Sequence, residues 1–332
     1  MKPPQIHAPR WLPGGHAQTI WPKLFSRLQH PDCPPQWRRE RWDTPDGDFV
    51  DCDWQDAPTD APSPPLLVLF HGLEGSSASH YSQAFASHAR RLGWAVALPH
   101  FRGCSGELNR GPRAYHSGDF EEVGWMLAQC RARHAGPMVA VGVSLGGNAL
   151  LRWAQESGAA AGSSVGAIAA ISAPLDLAAA GDAIHQGLNR AIYTRYFLHS
   201  MVPKALRKLD QHPGLFDADT LRQVRSLRDF DDVFTAPLHG FRDAADYYAR
   251  ASAGPRLDAL RVPSLVLNAR NDPFVPTLSL PQRPPAGRPV TLWRPAHGGH
   301  AGFPSGAFPG TVLDLPRSVC AWLTQHLRSS DG

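Results

Sequence analysis

Residues 141–147, VGVSLGG, place one serine, Ser144, two positions from a glycine on either side, Gly142 and Gly146. No other stretch constrains the fold as much. G-x-S-x-G is the pattern of a nucleophile elbow, a sharp strand-to-helix turn in which the serine takes a strained backbone and the glycines clear space around it. Its hydroxyl then stands above a sheet with a backbone NH beside it. Five positions can match by chance, so the flanks decide. Residues 137–143 (PMVAVGV) are apolar and β-leaning, and residues 148–156 (NALLRWAQE) have helical composition. The serine falls where a strand gives way to a helix.

The remaining chain supplies the sheet such an elbow needs. Short apolar runs at 66–70 (LLVLF), 94–98 (WAVAL), 165–171, 262–269 (VPSLVLNA) and 290–294 (VTLWR) read as strands buried on both faces. Between them lie helical stretches at 79–92, at 119–130 with Phe120, Val123, Leu127 and Cys130 in helical register, and at 316–327. The alternation predicts an α/β fold with a mostly parallel, doubly wound sheet. Residues 38–42 and 48–54 flank DTPDG, an edge hairpin whose T-P-D-G suits a type I turn. The proline-rich residues 1–36 read as an irregular arm, and the alanine-rich 158–170 as a loop leading into a strand. From 176 to 253 strand runs stop, and the segment is helical with aromatics in AIYTRYFL and HGFRDAADYYAR. This predicts a helical cap inserted over the C-terminal edge of the sheet, with 37–175 and 254–332 as the core. Most cap aromatics are expected to form the cap's own core.

Composition narrows the function classes. Charged residues are 19% of 332, and a net charge of +4 is small for that length, so nothing calls for a nucleic-acid partner. Arg38, Arg39 and Arg41, the densest basic cluster, read as a solvated strand face. Cys33, Cys52, Cys104, Cys130 and Cys320 contain no C-x-x-C pair and suit free thiols in a reducing cytoplasm. The N-terminus lacks a signal-peptide core, and no run reaches the roughly 18 to 20 apolar residues that span a bilayer. The expectation is a soluble cytoplasmic protein, a monomer or weak homo-oligomer, with any membrane contact peripheral.

A serine hydroxyl is a poor nucleophile until a base takes its proton and a third group orients that base. On this fold the order is serine, acid, histidine. Asp272 follows the penultimate strand (ARNDPFVP) and His300 follows the last (AHGGHAGF), which puts both at the elbow's edge of the sheet. Asp176 competes as the acid and His297 as the base; position after the two final strands favours Asp272, and the glycine pair before it favours His300. An oxyanion needs NH donors, expected from Leu145, next to the nucleophile, and from Leu73, after the first buried strand. HGLEGSS lacks the lysine and spacing of a phosphate loop, and HGGH sits among glycines with no helix or carboxylate cluster to hold zinc. No cofactor or metal is called for.

With these residues placed, the chain resembles the α/β-hydrolase fold, and within it the YheT-like esterases, which are related to a mammalian group of hydrolase-domain esterases and phospholipases. The matching stretches are HAQTIWP (16–22), HGLEGSSASHY (71–81), RGCSGELNR (102–110), VGVSLGGN (141–148), FDDVFTAPLHGF (230–241), NARNDPF (268–274) and GGHAGF (298–303). The resemblance implies a serine hydrolase acting on carboxylic esters, with Ser144, Asp272 and His300 at the family's triad positions. It also implies short-chain esters, monoacylglycerols or phospholipids as substrates. The arm departs from the pattern, reading GGHAQT where relatives more often start asparagine-proline-histidine. An acyltransferase with the same triad, or a silent binding protein on the same fold, are the alternatives.

Overall fold

The computed structural model describes residues 6–25, 34–59 and 62–327; Cys33 and the ends of the chain lie outside them. The apolar runs become strands β3 (Leu66–Phe70), β4 (Ala95–Pro99), β5 (Met138–Val143), β6 (Ile168–Ile171), β7 (Ser264–Leu267) and β8 (Val290–Trp293). The hairpin forms β1 (Arg38–Asp43) and β2 (Phe49–Gln55), with the Gly47 NH closing the turn on the Thr44 carbonyl at 3.0 Å. The sheet order is β1-β2-β4-β3-β5-β6-β7-β8; β2 runs antiparallel to both its neighbours, β1 and β4, and every other pair is parallel.

Every residue of β3 to β7 is buried, as continuous rather than alternating apolar runs require. The pleat divides them between two cores. Leu66, Val68 and Phe70 pack on one face with Val123, Met126 and Leu127 of α3 (Phe120–Arg133) and Leu150 and Leu151 of α4 (Leu145–Ser157). Leu67 and Leu69 pack on the other with Phe85 of α2 (His80–Arg91) and Val319 and Leu323 of α13 (Asp314–Thr324). Register matters most at the C-terminal edge. Phe70 pairs with Gly142, and Val143, Ile171, Leu267 and Trp293 align in one row, so the loops leaving β3, β5, β6, β7 and β8 open along one side.

Three local expectations change. The arm is not wholly irregular: α1 (Gly15–Phe25) forms despite the glycine at its start and Pro22 inside it. Propensity there is weak, and tertiary packing makes the helix, since Gln18 and Pro22 are buried. The alanine-rich patch is a 3₁₀ turn, Gly158–Ala160, followed by α5 (Ala161–Ser164), because alanine favours helix wherever no strand partner competes. Arg39 and Arg41 are not simply solvated. Each forks onto an aspartate buried on β2, Asp53 and Asp51 respectively, at 2.7 to 3.0 Å.

Between β6 and β7 the chain forms only helical elements among the described residues: α6 (Leu177–Ile184), α7 (Gly187–Asn189), α8 (Arg195–Gln211), α9 (Ala218–Gln223), α10 (Leu227–Phe230), α11 (Ala236–Leu238) and α12 (Ala244–Ala251). Two π-turns interrupt them, Arg190–Thr194 and Asp231–Thr235. Such turns insert one extra residue per turn and re-aim side chains, often beside a site.

Four histidines are packed in the neutral form. Burial pushes His71, His116 and His239 down to about 3 and His80 to about 4. Unfolding restores their ordinary values, so on acidification below about pH 6.5 the unfolded chain binds more protons and stability falls. Glu122 and Asp231, raised by burial to about 7 and about 6, act oppositely but are outnumbered. The urea midpoint is therefore expected to be lower at pH 5 than at pH 7; an equal or higher midpoint at pH 5 would contradict this.

Candidate active site

At the end of β5 the chain turns through Ser144, whose backbone sits at φ 54° and ψ −121°, outside the ordinary regions for a residue with a Cβ. The turn is over-determined. The Ser144 NH donates to the Ile171 carbonyl at 2.8 Å, and the NH groups of Gly147 and Asn148 donate back to the Ser144 carbonyl. A Cβ on Gly142 would stand 2.4 Å from the Gly146 carbonyl oxygen, and one on Gly146 would stand 2.4 Å from that of His71. Both positions therefore require glycine because backbone passes against backbone.

Residues after β7 and β8 converge on this serine. His300 Nε2 lies 2.8 Å from Ser144 Oγ, and His300 Nδ1 lies 2.9 and 3.2 Å from the two oxygens of Asp272. The Asp272 carboxylate also accepts the NH groups of Phe274 at 2.8 Å and Val275 at 3.2 Å, and its side chain is wholly enclosed. A carboxylate on Nδ1 calls for a proton there, which leaves Nε2 to accept from the serine hydroxyl. The competing residues are elsewhere: Asp176 caps α6, accepting the Ala179 NH, and His297 is exposed. With both ring nitrogens of His300 committed, HGGH holds no paired ligands, and among the described residues no group of three or more histidines, cysteines or carboxylates is placed to hold a metal ion.

The loop after β3 faces the same point. His71 is fully buried and bridges two loops, donating from Nδ1 to the Gly72 carbonyl at 2.8 Å and accepting the Phe101 NH on Nε2 at 3.1 Å. A Cβ on Gly72 would lie 3.1 Å from the Ser144 Cβ, so the loop passes directly over the elbow. Leu73 and Leu145 line one cavity with Ser144 and His300. Leu145 opens α4, where a backbone NH has no acceptor inside the helix.

That cavity, about 110 Å³, is walled mainly by apolar side chains: Leu177 and Ile184 from α6, Phe197 and Met201 from α8, and Phe274 and Val275 after β7. A smaller hollow shares Leu73, Leu145, Met201, Asp231 and Tyr247 with it and brings in Glu74, Tyr115 and Lys204. Asp231, on a π-turn, faces both and accepts the hydroxyls of Thr235 at 2.6 Å and Tyr248 at 2.7 Å.

The supports of the histidine loop went unread in the sequence. Thr19 Oγ1 accepts the His300 NH at 2.8 Å. Gln18 Oε1 accepts both the Gly298 NH and the Asn271 side-chain amide at 2.9 Å, and Asn271 Oδ1 accepts the Gly299 NH at 3.1 Å. One turn of α1 thus ties the acid loop to the histidine loop. Gly298 and Gly299 are needed for close approach: added Cβ atoms would stand 2.4 Å from the Phe303 ring and 2.8 Å from the α1 backbone. Ser172 Oγ adds a bond to the Ala301 NH. The signal available was a pair of polar residues, Gln18 and Thr19, within the apolar stretch AQTIW.

Comparison with known proteins agrees with this architecture. Residues 65–307 match the family model described as the alpha/beta hydrolase fold. The chain is 40% identical to YheT of Escherichia coli (strain K12) over 318 residues, covering 95% of this chain and 91% of that one. It is 31% identical to the phospholipase ABHD3 of Mus musculus over 295 residues, covering 86% and 70% respectively. Among solved structures, the Pyrococcus furiosus esterase Pf2001 superposes with a TM-score of 0.57 over 98% of this chain and 100% of that one, at 14% identity, a likeness of fold.

Proposed function

Since the chain belongs to the α/β-hydrolase fold family, we propose that it is a serine hydrolase cleaving carboxylic esters, with Ser144 as nucleophile, His300 as general base and acid, and Asp272 as the group that orients His300. The observation that carries this reading is the unbroken line of hydrogen bonds from Ser144 through His300 to Asp272, set on a strained elbow at the floor of an apolar cavity. Ser144 Oγ attacks the ester carbonyl while its proton passes to His300 Nε2. The NH groups of Leu73 and Leu145 receive the oxyanion. Collapse of the tetrahedral adduct expels the alcohol, which takes the proton from His300, and an acyl group remains on Ser144. Water, deprotonated by the same nitrogen, then releases the acid.

In this reading residues 176–253 serve as a cap over the serine, and the walls supplied by α6 and α8 receive the acyl chain, which favours short- to medium-chain or lipid esters. A relative's name, phospholipase, supports a lipid ester as the natural class. Cys52, Cys104, Cys130 and Cys320 are free and buried, which fits a reducing cytoplasm, and among the described residues no helix is long and apolar enough to cross a membrane.

The test is reaction of the purified protein with a fluorophosphonate probe, followed by turnover of p-nitrophenyl esters from acetate to palmitate. Labelling confined to Ser144 with steady release of acid is expected; a well-folded protein that neither labels nor turns over would sink the proposal. The α1 clamp gives a further prediction. Thr19→Val removes the acceptor for the His300 NH and is expected to lower kcat about 10- to 100-fold with little change in KM, because misplacing the base affects the reacting geometry more than ground-state binding. Thr19→Ser should restore most of the rate. A Thr19→Val enzyme with an unchanged kcat would assign α1 a purely structural role.

A further inference from the structure

Exposed apolar side chains usually occur singly on a soluble protein, but here several share one face. Leu188, Ile192 and Tyr196 are 68%, 40% and 50% exposed. Leu188, Ile192 and Tyr196 follow at intervals of four along α7, the π-turn and the start of α8, which sets them on one side of that helical stretch. The Lys23 ammonium lies 3.5 Å from the centre of the Tyr196 ring and joins α1 to the same face. Two segments distant in sequence, α1 and the stretch from α7 into α8, thus meet at this face.

A second observation concerns charge. Residues 6–25 and 183–209, which carry most of this surface, contain no aspartate or glutamate. Beside Leu188 and Ile192 is an open hollow lined by Arg190, Arg195, His199 and Arg225 and by no carboxylate. Among the described residues none of the three guanidinium groups is within ion-pair distance of an acidic side chain, although arginines elsewhere, such as Arg39, Arg41 and Arg102, are paired. Apolar side chains meant to enter a lipid interface, flanked by unpaired arginines able to fork onto phosphate oxygens, make up a surface suited to anionic lipid.

We propose that this face docks the protein peripherally on an anionic phospholipid bilayer, with Leu188, Ile192 and Tyr196 entering the headgroup region and Arg190, Arg195 and Arg225 taking lipid phosphates. Tyr196 packs on Phe197 at 5.5 Å, and Phe197 lines the cavity below which Ser144 sits, so the docked surface lies one side chain from the wall of that cavity. The binding itself needs no turnover, and its outcome is independent of the proposed esterase activity.

The experiment is co-sedimentation of the full-length protein with phosphatidylcholine vesicles and with vesicles containing phosphatidylglycerol, at low and high salt. Binding is expected to the anionic vesicles, far more weakly to the neutral ones, and to decline with salt. Arg190→Gln and Arg195→Gln should each weaken it about fivefold, and about 25-fold together. Leu188→Ser with Ile192→Ser should weaken it as well, and both double variants should turn over a water-soluble short ester as wild type does. Four results would overturn the proposal: wild type that stays in the supernatant with anionic vesicles at low salt; variants that bind undiminished; vesicle binding abolished by inorganic phosphate at constant ionic strength, which would make the hollow a free-anion site; and a wild-type dimer that Leu188→Ser with Ile192→Ser converts to monomer, which would assign the face to a second copy of the chain.

Discussion

Ser144→Ala is expected to lower kcat for ester hydrolysis by about 10⁴-fold or more while leaving the fold intact. A loss of that size is expected because Ser117, the other serine lining the cavity, is hydrogen-bonded to Asn148 rather than to His300. Among the described residues the imidazole of His300, held 2.8 Å from Ser144 Oγ, bonds no other hydroxyl, and on the proposed mechanism the residual rate would come from the oxyanion donors acting on water. Alanine keeps a Cβ, so it inherits the strained φ of 54° and the hydrogen bond from the residue-144 NH to Ile171 at no new steric cost. Its melting temperature should therefore stay near that of wild type. Parallel measurement of p-nitrophenyl ester turnover and thermal unfolding checks both halves. Retention of more than about a tenth of the wild-type kcat would remove Ser144 from the chemistry.

Asp272→Asn is expected to cost about 10⁴-fold in kcat, the amount a wrong histidine tautomer costs in a serine-histidine-aspartate site. An asparagine can still accept the Phe274 and Val275 NH groups through its carbonyl oxygen, so the loop keeps its shape. Its amide NH2 then faces His300 Nδ1 and donates to it. That forces the imidazole proton onto Nε2, where it points at Ser144 Oγ and can no longer accept the serine proton. KM should change little. Asp176→Asn is the control, because that carboxylate only caps α6, and its kcat should stay within about twofold of wild type. A larger loss in Asp176→Asn than in Asp272→Asn would reverse the assignment of the acid.

Much of this was legible along the chain because it is written in local chemistry. G-x-S-x-G between an apolar run and a helical one announces an elbow, since few other arrangements require two glycines around a serine at that junction. Continuous apolar runs mark strands covered on both faces, and here all of β3 to β7 are buried. Asp272 and His300 could be singled out from Asp176 and His297 because strand order places the ends of the last two strands at the elbow's edge.

What was illegible depends on contacts between distant segments. Nothing in GHAQTIWPKLF announces a helix: it lacks an acidic first turn and carries Pro22. It becomes α1 because Gln18 and Pro22 pack against the domain and Gln18 and Thr19 find NH donors 280 and 281 residues away, on Gly298 and His300. Gly298 and Gly299 look like a flexible pair in the sequence, yet they are glycine because Phe303 and the α1 backbone occupy the space of a side chain. Arg39 and Arg41 look solvated until β2 brings Asp53 and Asp51 beneath them. By itself, then, the sequence determined the sheet, the elbow and the identity of the three polar groups in line, because strand burial, turn geometry and nucleophile chemistry act over a few residues. Only the tertiary structure decided what clamps the histidine loop, which walls shape the cavity and where unpaired arginines meet exposed aromatics, because each of those is a close approach between segments whose separation along the chain carries no record of it.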